Sequence, residues 1–228
     1  MERELFAAER EHFPLVHPAF SLPVKIFATI FSYIFHPLFI PVIATWYLTF
    51  IQPGFFTGIP PEEKFFIIIR VAYNTIFFPA FTVLLLKGLG FIKSIFLKTQ
   101  RERIIPYVAT NLFYFWMYLV FRNQPAVPGV LTAFIFGIFL ASSLALLANI
   151  YFKISMHGLG VGSLFGLLLI IIFSGFSYGV FLPAMSIILL TGVVATSRLV
   201  ISDHTPFHVY IGILLGIISQ FIAHVFIG

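Results

Sequence analysis

Apolar runs about twenty residues long follow one another from Val24 almost to the C-terminus, and they constrain this chain more than any other feature. Wound as a helix at about 1.5 Å per residue, such a run crosses the roughly 30 Å hydrocarbon core of a bilayer. Backbone amides in that core have no water to bond, so a spanning segment must be a helix or part of a closed barrel. Barrel strands alternate apolar and polar residues, and these runs do not. Only 9% of the residues are charged and 31 are Phe, whereas about a quarter of a soluble domain is charged. The chain is expected to be all-α, a polytopic transmembrane helical bundle of six to seven spans.

Hydropathy places the spans at Val24–Ile51, Phe65–Leu89, Pro106–Phe121, Gly129–Tyr151, Gly158–Gly179, Leu182–Val200 and Pro206–Phe226. Turn chemistry separates several of them, as at Gln52-Pro-Gly, Pro60-Pro-Glu-Glu and Asn123-Gln-Pro. The third span is short enough to be tilted or partly re-entrant, which leaves six crossings open. His36-Pro37 and Pro41 should kink the first span, and His36 reads either as a ligand or as a helix-packing histidine. Gly162-x3-Gly166 and Gly212-x3-Gly216 permit close helix contact. Residues 1–23 mix acids and bases with no apolar core or cleavage signal and read as an interfacial arm; residues 24–228 read as one transmembrane domain. Cysteine is absent, which excludes disulfide and thiol chemistry.

Chemistry is concentrated in three polar clusters: Lys98-Thr-Gln-Arg-Glu-Arg-Ile-Ile-Pro106, Lys153-Ile-Ser-Met-His-Gly158, and the stretch from Ser197 to Gly212. Two spans separate each cluster from the next, so all three lie on one side of the membrane. Each also precedes a span. Pro106 is expected in a first helical turn, Ser155 at an N-cap, and Thr205-Pro206 at a helix start. Helix N-termini favour anions, and Lys98, Arg101, Arg103 and Arg198 flank them. His204 is suited to nucleophilic or proton-carrying work near neutral pH. Beyond residue 64 the carboxylates are Glu102 and Asp203 alone, too few for a two-metal or carboxylate-pair hydrolase. The net charge of +5 is spread thinly; it suits an anionic surface or substrate rather than nucleic acid.

These clusters resemble the type 2 phosphatidic acid phosphatase superfamily of membrane lipid phosphatases and glucose-6-phosphatase. Its third motif, Ser-Arg-x5-His-x3-Asp, is met at Ser197, Arg198 and His204, with His208 in the Asp position. Its second, Pro-Ser-Gly-His, is met at Ser155 and His157, with Ile154 and Met156 in place of Pro and Gly. Its first, Lys-x6-Arg-Pro, is met at Lys98 and Pro106, while Ile105 stands in the Arg position and Arg101 or Arg103 is left to supply the charge. The resemblance covers about residues 91–216.

The resemblance implies a metal-independent, cofactor-free phosphatase acting on a lipid phosphate or diphosphate. His204 would be the covalent nucleophile and His157 the acid and base. Arg198, Lys98, Arg101 or Arg103, Ser155, Gly158 and Ser197 would hold the phosphate. His208, or the neighbouring Asp203, would orient His204. Two other readings remain open: a lipid-phosphate binder or transporter without turnover, and a metal site of His157, His204 and His208. On resemblance the chain is expected in a bacterial inner membrane with its site facing the periplasm. The Lys and Arg balance of the loops points to the cytoplasm instead.

Overall fold

The computed structural model describes residues 20–97, 99–175, 181–201 and 204–227. Among them the chain forms eight helices and no strand: α1 (Leu22–Ile34), α2 (Ile40–Ile51), α3 (Pro61–Gly88), α4 (Gln100–Phe121), α5 (Gly129–Ala148), α6 (Met156–Phe173), α7 (Phe181–Ile201) and α8 (Pro206–Ile227). Helices α3 to α8 are six helices long and apolar enough to cross a membrane. The all-α bundle is therefore the architecture of the described chain.

The first expected span is two helices, neither of them membrane-length. Pro37 has no amide to donate and its ring excludes helical geometry in the residue ahead. The helix ends at Ile34 and resumes at Ile40, with Pro41 in the new first turn. The third span corrects the reading in the other direction. It starts at Gln100, is 22 residues long, and holds Pro106 in its interior rather than its first turn. A capping box sets that earlier start. The Thr99 hydroxyl accepts from the Glu102 amide and the Glu102 carboxylate accepts from the Thr99 amide.

Helices α6 and α8 form the closest seam of the bundle. A Cβ on Gly162 would collide with the backbone of Ile213, and one on Gly216 with the backbones of Leu159 and Ser163. Small residues here let the two backbones touch, as in other membrane helix pairs. Helix α5 closes against the same seam, where the Gln220 side chain lies across Gly137 and donates to the Phe134 carbonyl at 3.5 Å. The seam brings the N-termini of α6 and α8 side by side, and the Ser155 amide donates to the His208 carbonyl at 3.2 Å. The second and third polar clusters are joined by that bond.

Candidate active site

Helix α4 contributes Arg103. The left-handed backbone of Leu97 (φ 47°) is uncommon for a bulky residue, and the Leu97 carbonyl accepts from Arg103 Nε at 2.9 Å. Arg103 Nη1 donates to the Ile154 carbonyl at 3.2 Å, tying the first cluster to the second. Gln100 and Asn149 make a reciprocal pair close by, each side-chain amide donating to the other's carbonyl at 3.0 Å. Of the two arginines the sequence left open, Arg103 lines the cavity described below, while Arg101 is exposed and does not. Glu102 is spent on structure: besides the cap, it accepts the Lys93 amide at 2.9 Å. Lys98 lies outside the described residues.

Helix α6 contributes His157. Ser155 is its N-cap as expected, with the hydroxyl accepting the Gly158 amide at 3.3 Å. That bond occupies the Gly158 N–H, and a Cβ on Gly158 would sit 2.6 Å from the Val209 carbonyl. Gly158 therefore works in packing and capping. His157 Nε2 lies 3.0 Å from the Ser32 carbonyl at the end of α1. Its ring meets His36 edge-on, with centroids 5.3 Å apart.

The α7–α8 junction contributes Arg198 and His204. Ser197 turns back on its own helix and donates to the Val193 carbonyl at 2.8 Å. His204 is buried, 6% exposed, and its Nδ1 has no hydrogen-bond partner among the described residues. His208, expected to orient it, is engaged elsewhere. Its Nδ1 accepts the Thr205 amide and its own amide donates to the Thr205 hydroxyl, both at 3.4 Å, a reciprocal cap on α8. The His208 ring stacks on Phe152 at 5.8 Å and meets His204 only edge-on at 6.0 Å. Asp203 lies outside the described residues.

A cavity of about 750 Å³ connects these groups. Arg103, His157, Arg198, His204 and His36 line it, together with apolar residues such as Val83, Leu84, Phe96 and Ile138. Burial, then the charges of Arg103, Arg198 and Lys153 and the nearby His208, lower the pKa of His204 from the usual 6.5 to about 3. His204 is thus a neutral imidazole at neutral pH. Among the described residues no three His, Asp or Glu side chains are grouped to hold a metal ion, so the His157, His204 and His208 arrangement is not formed.

Ser32 and His36 carry no signal in the third motif or its neighbours, and sequence reasoning missed Ser32 altogether. The available clue was His36-Pro37, a polar pair and helix breaker inside an apolar run. No family model matches this chain, and no curated protein or solved structure is significantly similar to it.

Proposed function

We propose that this membrane protein is a phosphatase acting on a lipid phosphate or diphosphate. The observation that carries this reading is the amphiphilic cavity: two arginines and three histidines near one another in the wall of a mostly apolar slot. A phosphate ester with a hydrocarbon tail has the matching distribution of charge and apolar surface. Anions are drawn to Arg103 and Arg198, whose planar donor forks suit phosphate oxygens.

In this reaction the neutral imidazole of His204 donates its lone pair to phosphorus, and the bond to the departing alkoxide breaks. Arg103 and Arg198 offset the charge on the equatorial oxygens. His157, which takes up a proton when the phosphate anion binds beside it, gives that proton to the alkoxide. Water then attacks the phosphohistidine, His157 takes its proton back, and phosphate leaves with His204 restored. Lys98, outside the described residues, would add a further cation.

The test is phosphate release from lipid monophosphates and diphosphates in mixed micelles, with His204→Ala protein alongside. Release that depends on His204 is the expected result; equal release from both proteins would refute the reading. The unpartnered Nδ1 of His204 favours a second reading, a lipid-phosphate binder without turnover. Tight binding of a lipid phosphate with no release would identify that case. The proposed setting is a bacterial inner membrane with the site on the periplasmic face. Labelling of Thr99→Cys by an impermeant thiol reagent on intact cells is expected, and labelling only after lysis would place the site inside.

A further inference from the structure

The break between α1 and α2 lies outside the segments that carry the resemblance, yet it touches the site directly. A chain of displaced backbone bonds runs from Pro37 to His157. Tyr33's carbonyl would take the amide of residue 37 in a continuous helix, but Pro37 has none. It accepts instead from the His36 amide, at 3.3 Å. In a continuous helix that amide belongs to the Ser32 carbonyl, four residues back. Ser32 is buried, and a buried carbonyl without a donor is costly. His157 Nε2 supplies the bond at 3.0 Å.

A carbonyl oxygen only accepts, so the nitrogen facing it carries the proton. His157 is then the Nε2–H tautomer, with a lone pair on Nδ1. His36 holds the ring from its edge at 5.3 Å. His36 is itself fixed by the Leu38 amide, which donates to its Nδ1 at 3.4 Å.

We infer that the Pro37 break is a positioning element for His157: the Ser32 carbonyl holds Nε2–H, and Nδ1 is the nitrogen that passes protons to and from the substrate. The assignment to substrate rests on the phosphatase reading; the tautomer does not. When His157 is protonated, Nε2–H stays on Ser32 and Nδ1–H goes to the leaving alkoxide. When water attacks, Nδ1 receives the proton.

Nitrogen NMR of the protein with ¹⁵N-labelled histidine in micelles reads the tautomer, with the His157 signal identified by its loss in His157→Gln. A protonated Nε2 and bare Nδ1 are expected in the wild type; a proton on Nδ1 would overturn the inference. Pro37→Ala restores the missing amide, returns the His36 amide to Ser32, and frees His157. That variant is expected to show mixed tautomers. Its kcat on alkyl phosphates should fall about tenfold, part of what a general acid supplies, with aryl phosphates nearly unaffected because their leaving groups need no proton. Wild-type tautomer and kinetics in Pro37→Ala would count equally against the inference. Should Pro37→Ala not fold, the wild-type spectrum decides alone. Should the wild type release no phosphate from any ester, the phosphatase reading falls while the spectrum still decides the role of Ser32.

Discussion

His157 and His204 face one cavity from the ends of neighbouring helices, and the protein holds them in opposite ways. His157 is gripped at Nε2 by the Ser32 carbonyl and at its edge by His36. His204 is more deeply buried, yet its Nδ1 meets no partner among the described residues, and the residue in the orienting position caps a helix instead. A proton carrier must present the same nitrogen in two half-reactions, so a fixed tautomer serves it. A nucleophile needs a neutral ring above all, and burial beside cations supplies that without a bonded partner. The difference lies in how the rings are held: His157 through a bond at Nε2, and His204 with its Nδ1 left without a partner among the described residues.

The sharpest way to break this comparison is to remove each ring in turn. His204→Ala is expected to lower phosphate release at least about 10³-fold, as loss of a covalent nucleophile does in other hydrolases, and to abolish acid-labile phosphate on the protein. Retained turnover would assign the chemistry elsewhere. His157→Ala should cost about 10²-fold on alkyl phosphates and far less on activated aryl phosphates. Equal losses on both substrate types would deny it the proton-transfer role.

Acid conditions probe the neutral state of His204. Its folded pKa is lowered to about 3 from 6.5, so between those values the unfolded chain binds the extra proton. The contribution of this group to stability is therefore complete above about pH 6.5 and is lost as pH falls toward 3. Thermal unfolding in detergent should show the decline, and the His204 NMR signal should not titrate between pH 8 and 5. A midpoint near 6.5 would mean that the ring is solvated.

A smaller effect is expected from His208→Asp. An Asp at that position still accepts the Thr205 amide and sits well at a helix N-terminus, while adding a negative charge near His204. Activity should hold or rise a few-fold, and a severe loss in folded protein would give the His208 ring a task of its own. Chelation should change least. Activity is expected to survive EDTA, since the proposed charge stabilisation comes from Arg103 and Arg198; loss restored by one specific metal would reopen metal catalysis.

Much of the frame was legible because it depends on neighbours in the chain. Six long helices follow from apolar runs of sufficient length, and the Ser155 and Thr205 caps from a hydroxyl ahead of a helix start. Helix ends near proline were read less well. Pro106 looked like a start, but Thr99 and Glu102 satisfy two amides one turn earlier and win the boundary. Pro37 looked like a kink and is a full break, because the freed carbonyl of Ser32 finds a partner in another helix.

By itself, then, the sequence determined the helical membrane class and the Ser155 and Thr205 caps, which follow from local spacing, and the parity of crossings set the expectation that the three polar clusters share one side. Only the tertiary structure set Arg103 rather than Arg101 in the cavity wall, committed His208 to a helix cap, and set Ser32 against His157. The last pair is 125 residues apart in the chain. No local pattern encodes such a contact, which depends on the glycine seam of α6 and α8 and on how α1 packs beside α7.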